Sequence, residues 1–278
     1  MSRTENVKIF KDTENLCRTH EKIRKSIENA KANQKLILEG NPLEIPIKNR
    51  FAASAEIIVS KKRTLEAAEA YKGMKTAVHN FASASNPGGG VERGANAQEE
   101  CLCRCSGLYF CLNTPEMREG FYKLHRRAKN PIHNDDIILT PDVTVFKTDT
   151  AEPELMAESE WYDVDVITCA APNLRERPSN GFNEGDGHHA AKISAEALAE
   201  VHEKRLKRIL DAAVLEEDEV IILGAFGCGA FRNDPGIVAA AARNVLQEYR
   251  HAFRIIEFAV YCPPRDDTNY RIFRRTLI

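Results

Sequence analysis

Apolar residues recur along this chain with two rhythms. Short aliphatic and β-branched runs, bounded by turn formers, predict strands at 55–60 (AEIIVS), 76–81 (TAVHNF), 164–170 (VDVITCA), 219–223 (EVIIL) and 254–261. A further strand-like stretch, 136–146, is interrupted by Pro141. Helical spacing fills much of the rest. Residues 13–40, rich in Lys, Glu, Ala and Leu, predict one or two amphipathic helices. Thr64 is expected to cap a short helix through Tyr71, with Glu66 in its first turn. Another helix is expected from near Gln98. Residues 188–214 contain no Pro or Gly and predict a long helix. Asp234-Pro235 opens the next, with Asp as N-cap and Pro at the first helical position. Residues 268–278 form a closing helix. Pro42 and Pro46 mark a loop, and the polar residues 173–187 a longer one.

Strands that alternate with helices imply an α/β fold, its partly parallel sheet covered by helices on both faces. The 278 residues suit one large domain of this class. Residues 1–50 are expected to be a helical N-terminal extension packed on a core spanning 51–278.

Composition narrows the function. With 39 basic and 41 acidic residues the formal charge is -2, so nothing pulls the chain toward nucleic acid as a whole. No direct DNA binding is expected, and any polyanion must be read by a local site. The polar stretch from Met1 to Asp12 has no apolar signal-peptide core, and no apolar run approaches about 18 residues. Neither export nor membrane association is expected. The eight cysteines then read as reduced thiols of a cytoplasmic protein.

Two glycine loops carry the first chemical signal. Asn86-Pro87-Gly88-Gly89-Gly90 follows one predicted strand, and Gly224-Ala225-Phe226-Gly227-Cys228-Gly229-Ala230-Phe231 follows another, just before the Asp234 cap. Loops without side chains let a ligand touch backbone. Backbone N–H groups backed by a helix start would form a phosphate or diphosphate site. Neither loop is followed by Lys-Ser/Thr, which argues against a Walker-type hydrolase, and the dinucleotide pattern G-x-G-x-x-G is absent. The diphosphate would then be a handle and not the reacting group.

Gln98-Glu99-Glu100 follows Gly90 after a spacer of seven residues. Consecutive helical residues point about 100° apart. The two carboxyls are therefore expected to line one pocket without facing one atom. A carboxyl beside a ribose anomeric carbon can protonate the leaving oxygen and then deprotonate water. The helix start favours its ionised form, whereas a neighbouring carboxylate and an apolar wall oppose it.

The triple glycine, the seven-residue spacer and Gln98-Glu99-Glu100 together resemble the signature of the poly(ADP-ribose) glycohydrolases. Residues 80–87 (NFASASNP) look like the microbial branch, and Gly224 to Phe231 is similar to its diphosphate loop. Residues 164–173 (VDVITCAAPN) resemble a core macrodomain strand. The resemblance spans about residues 55–278, while residues 1–50 match only in being helical. It implies a three-layer α/β/α macrodomain with a mixed, partly parallel central sheet. It further implies ADP-ribose as ligand and neither metal nor cofactor. Glu100 would be the acid/base at the ribose–ribose bond, and Glu99 would hold hydroxyls of the distal ribose. Asn86, Gly88, Gly89, Gly90 and Gln98 would face Phe226, Gly227, Cys228, Gly229, Ala230 and Phe231 across the diphosphate and that ribose. Of the two aromatics, Phe231 is preferred for shaping the ribose pocket.

Other features invite bland readings. Cys101, Cys103, Cys105 and Cys111 lack the usual zinc spacing and read as small buried residues. Loop N–H groups could lower the pKa of Cys228, but close packing of its loop is reason enough for a small residue there. His188 and His189 read as a surface helix start, and Lys204-Arg205 with Lys207-Arg208 as a solvated face. Three functions fit: hydrolysis of ADP-ribose polymers, hydrolysis of single ADP-ribose units from protein or nucleic-acid acceptors, and non-catalytic ADP-ribose reading. The carboxylate pair favours the first over the third.

Overall fold

The computed structural model describes residues 2–45, 48–180 and 185–278. Pro46, and residues 181–184 of the expected 173–187 loop, lie outside them. Seven strands form one sheet: β1 (Lys35–Ile37), β2 (Glu56–Ser60), β3 (Thr76–Ala82), β4 (Ile137–Val145), β5 (Tyr162–Ala170), β6 (Val220–Leu223) and β7 (Ile255–Ala259). Their order is β1-β4-β5-β3-β6-β7-β2. The five strands from β5 to β2 run parallel, while β4 pairs antiparallel with β5 and β1. The register of β4 shifts between Thr140 and Val143, around Pro141. Every residue of β6 is buried, as is all but one of β3. Parallel strands covered on both faces read as continuous apolar runs, which is why they were legible.

The helices are α1 (Arg3–Thr19), α2 (Glu21–Asn33), α3 (Thr64–Glu69), α4 (Gln98–Cys105), α5 (Leu108–Leu112), α6 (Pro115–Met117), α7 (Lys123–Ala128), α8 (Ala195–Leu215), α9 (Pro235–Leu246) and α10 (Thr268–Leu277). On one face of the sheet Ile209, Val238 and Phe273, from α8, α9 and α10, pack with Ile221 and Phe258. On the other face Leu65, Leu102 and Leu108, from α3, α4 and α5, pack with Val78, Val166 and Ile222. This three-layer α/β/α arrangement is that of a macrodomain. Outside it, Cys17, Ile23 and Ile27 of α1 and α2 bury against Cys111 and Phe146.

Several boundaries differ from expectation. Helix α1 starts at Arg3, well before residue 13, because Ser2 and Glu5 form a reciprocal capping box. Residues 35–37 leave the helical pattern to pair with β4, a tertiary contact that overrides propensity. Arg63, not Thr64, is the N-cap of α3, and Glu66 accepts its backbone N–H at 3.0 Å. Helix α8 begins at Ala195, where Ser194 accepts from the Ala197 N–H at 3.2 Å. His188 and His189 are therefore exposed loop residues and not a helix start. Helices α5, α6 and α7 had no sequence expectation.

The basic stretch of α8 is a solvated face only in part: Lys204 and Lys207 are exposed, but Arg205 and Arg208 turn inward. Arg205 is fully buried: its Nε donates to Asp135 Oδ1 at 2.8 Å, its Nη1 to Ala170 O at 2.8 Å and its Nη2 to Ile132 O at 2.7 Å. Arg208 donates to the carbonyls of Asp135 and Leu38, both at 2.9 Å. The two arginines strap α8 to the segments that precede β2 and β4. The cysteines of α4 and α5 are buried thiols, and burial pushes Cys101 up to about 11 and Cys111 up to about 12. Among the described residues no group of His, Cys, Asp or Glu is placed to hold a metal ion, and no helix is long and apolar enough to cross a membrane.

His79 of β3 lies buried between Phe81 and Phe226, its rings 4.9 and 4.4 Å from theirs. Burial, then the neighbouring His202, lowers its pKa from 6.5 to about 3. The unfolded chain thus takes a proton below pH 6.5 that the folded ring refuses. Stability is lost progressively as pH falls from 6.5 toward 3. At pH 5 the loss from this one group is about 2 kcal/mol. His79→Phe should therefore lose about 2 kcal/mol less than wild type between pH 7 and pH 5, measured by urea unfolding at both values.

Candidate active site

Strands β3 and β6 are parallel neighbours, so the loops that leave their C-terminal ends face each other. Between them opens a cleft of about 810 Å³. Every parallel strand contributes to its wall: Arg63 and Thr64 after β2, Ser83, Gly89, Gly90 and the start of α4 after β3, Arg175 and Asn180 after β5, Ala225, Gly227 and Gly229 to Phe231 after β6, and Val260 and Tyr261 after β7. This is where open α/β sheets gather ligands.

The first wall is built by the start of α4. Its N-cap, Ala97, has no side-chain acceptor, and Glu100 at the third helical position reaches back to the Ala97 N–H, the other half of a capping box. Glu100 Oε2 accepts from Ala97 N at 3.0 Å, and Oε1 accepts from Gly90 N at 2.8 Å. One carboxyl thereby joins the helix start to the glycine loop. Gln98 pins the same turn to β3: it accepts from Phe81 N at 2.8 Å and donates to His79 O at 2.8 Å and Thr64 Oγ1 at 3.0 Å. Glu99 accepts from Ser83 N at 2.8 Å and from Asn80 Nδ2 at 3.4 Å. Burial, then the charge of Glu100, holds the Glu99 carboxyl well above the ordinary carboxylate range, against the N–H donors that lower it. For Glu99, desolvation wins over the helix start.

The two carboxyls converge more than their helical angle suggests. Gly88 and Gly89 have φ of +64° and +60°, which turns the loop back onto α4. A Cβ on Gly89 would collide with Glu100 Oε1 and sit 3.1 Å from Glu99 Oε2. The expectation that both could not face one point is corrected: long side chains bend from different angles to the same glycine.

The second wall runs from Ala225 to Phe231. At its root, a Cβ on Gly224 would lie 2.7 Å from Ala259 O. Gly227, with φ +76°, would meet the Asn233 side chain at 2.6 Å. The N–H groups of Gly229, Ala230 and Phe231, residues that all line the cleft, have no acceptor among the described residues. Such a run of unsatisfied donors suits an anion. The helix start behind it does not take part as expected, because Asp234 already accepts from Gly236 N at 2.8 Å and Ile237 N at 3.0 Å.

Of the sequence candidates, Gly89, Gly90, Gln98, Glu99, Glu100, Gly227, Gly229, Ala230 and Phe231 line this cleft. Four lie elsewhere. A Cβ on Gly88 would strike Tyr109 at 2.7 Å, so its missing side chain serves core packing while its backbone N–H still donates to Glu99. Asn86 lines a neighbouring pocket and accepts from Arg126. Phe226 is buried behind the cleft against His79, Phe81 and His202. Cys228 donates its thiol back to Phe226 O at 3.7 Å, and burial pushes its pKa up rather than down.

Other lining residues went unforeseen. The Arg63 guanidinium stacks 4.1 Å from the Tyr261 ring, and Arg175 lies 5.7 Å from the Phe231 ring. Both arginines follow strands that were predicted, so the rule of strand C-terminal ends could have pointed to them. Asn6 of α1 also lines the cleft, donating to Gly94 O at 3.1 Å. No local pattern marks it, because only the docking of α1 brings it there.

Residues 4–148 match the family described as "Microbial-type PARG, catalytic domain". The match begins inside α1, so the relationship includes N-terminal helices that had been matched only as helical. Poly(ADP-ribose) glycohydrolase from Thermomonospora curvata superposes with a TM-score of 0.82 at 29% identity, over 98% of each chain. The same enzyme bound to the inhibitor ADP-HPD gives 0.79 at 29% identity, over 97% of this chain and 98% of that one. Poly(ADP-ribose) glycohydrolase from Deinococcus radiodurans in complex with ADP-ribose gives 0.74 at 30% identity, over 90% of this chain and 96% of that one. No curated protein matches this chain by sequence. The family match, the near-complete superpositions and the carboxylate-bearing cleft agree: this chain belongs to the microbial-type poly(ADP-ribose) glycohydrolase family.

Proposed function

We propose that this chain hydrolyses ribose–ribose O-glycosidic bonds in poly(ADP-ribose) and releases ADP-ribose, with Glu100 as acid/base. The observation that carries the reading is the position of Glu100, held by Gly90 N–H and Ala97 N–H in a cleft that both glycine loops line. The free N–H groups of Gly229, Ala230 and Phe231 take the diphosphate. Phe231 borders the distal ribose, whose hydroxyls Glu99 binds. Glu100 donates its proton to the departing ribose oxygen as the anomeric C–O bond breaks. The resulting carboxylate then removes a proton from the water that attacks the anomeric carbon. We place the enzyme in the cytoplasm, a compartment that suits eight free thiols. Residues 1–50 act as an extension that holds the glycine-loop side of the core.

The substrate class is tested by offering polymer and mono-ADP-ribosylated protein side by side and quantifying free ADP-ribose. Release from polymer, with the protein-linked unit left in place, is expected. Equal release from both substrates favours the mono-ADP-ribosyl hydrolase instead.

The diphosphate wall has its own test. A Cβ on Gly229 meets nothing within 4 Å, and its φ is ordinary. The fold should accept Gly229→Val, whose side chain would enter the cleft. ADP-ribose affinity should fall about tenfold or more, equivalent to about 1.4 kcal/mol. Unchanged affinity by calorimetry would remove this loop from the ligand site.

A further inference from the structure

Behind the triple-glycine loop lies a second pocket of about 300 Å³ that shares Gly89 and Gly90 with the main cleft. Its wall holds four cations, Arg93, Arg118, Lys123 and Arg126, against one carboxylate, Glu92; Lys123 also pairs with Glu119 one turn earlier, outside the wall. In a chain whose formal charge is -2, this is a marked local excess. Two of the cations are held by neutral oxygens. Arg118 Nε donates to Asn113 Oδ1 at 2.5 Å, and Arg126 Nε donates to Ser85 O at 2.6 Å. Their positions are fixed, and among the described residues no carboxylate pairs with either. Tyr122 also lines the pocket, and its buried hydroxyl has no hydrogen-bond partner among the described residues. Fixed guanidinium groups, a lysine and a spare phenolic donor are the chemistry of a phosphate site.

We propose that this pocket binds the diphosphate of the unit that leaves, the penultimate ADP-ribose of the polymer. The inference rests on the reading of the chain as a polymer hydrolase. When the terminal unit fills the main cleft, the oxygen that Glu100 protonates belongs to the adenosine ribose of the next unit. That ribose carries a diphosphate on its own C5′, so the next anionic group is tethered close to the scissile bond. Gly89 and Gly90 line both pockets, so the scissile bond and the next diphosphate would meet at the same stretch of backbone. The terminal unit alone, as free ADP-ribose, has no group to reach the second pocket.

The test is the double variant Arg118→Gln/Lys123→Gln. Neither residue lines the main cleft. KM for polymer should rise about tenfold at low ionic strength, with a shallower salt dependence, because phosphate contacts are lost. The turnover number and the affinity for free ADP-ribose should stay at wild-type values. An unchanged polymer KM overturns the proposal, and so does an equal loss of ADP-ribose affinity, which would assign these cations to the main cleft. If wild type releases no ADP-ribose from polymer, the hydrolase reading fails separately. The affinity of the intact chain for labelled polymer, measured by anisotropy, then decides: a drop in the variant keeps the pocket, and no drop overturns it.

Discussion

Gly89→Val is expected to lose at least about a thousandfold in kcat/KM on polymer while keeping a wild-type circular dichroism spectrum. Two effects act together. The φ of +60° is unfavourable for a β-branched residue. The new Cβ also collides with Glu100 Oε1 and crowds Glu99 Oε2 at 3.1 Å, so the carboxyl pair must move. Moving Glu100 releases the N–H groups of Gly90 and Ala97 and shifts the proton donor from the scissile oxygen. Because the Cβ itself causes the collision, Gly89→Ala should be nearly as harmful. Gly229→Ala, with open space around its Cβ, should be mild. A Gly89→Ala variant with near-normal kinetics would show that the carboxylates tolerate displacement and would undo this account of the loop.

Glu100→Gln should lose at least about a hundredfold in turnover, the scale of one acid/base group. Gln can still accept from Gly90 N–H, so the loop keeps its shape. Its amide NH₂ cannot accept from Ala97 N–H, but Ala97 is exposed and water can replace that bond. Stability should fall by about 1 kcal/mol or less, the usual scale for a helix cap. Affinity for ADP-ribose should hardly change if, as proposed, the second loop takes the diphosphate. Glu99→Gln should behave differently, with moderate losses in both binding and turnover. Its carboxyl accepts from Ser83 N–H and Asn80, and the proposal gives it the hydroxyls of the distal ribose. Turnover by Glu100→Gln within a few fold of wild type would mean that another group moves the proton.

The sequence made the parallel core and both glycine loops legible for a physical reason. Strands buried on both faces cannot alternate, and VDVITCA and EVIIL do not. A triple glycine before paired carboxylates has little meaning except close approach to backbone. What stayed hidden depends on tertiary neighbours. Gly88 and Gly89 are indistinguishable in sequence, yet one faces Tyr109 in the core and the other the carboxylates. Phe226 and Phe231 sit five residues apart in one loop, and only the His79–Phe81 cluster draws the first inward. Arg205 reads as surface charge until Asp135, far away in the chain, is found beneath it. Asn6 reaches the cleft only because α1 folds across the start of the catalytic loop, with its amide on Gly94. Boundaries failed where a better cap lay nearby, as Ser2 and Ser194 show.

The central claim is that this cleft cleaves the ribose–ribose bond through Glu100. The most direct measurement is a single-turnover digest of purified poly(ADP-ribose) by wild type and Glu100→Gln at matched ADP-ribose affinity, with free ADP-ribose followed by chromatography. The account predicts release by wild type and a rate at least about a hundredfold lower in the variant. Equal rates, or no release by wild type, would contradict it.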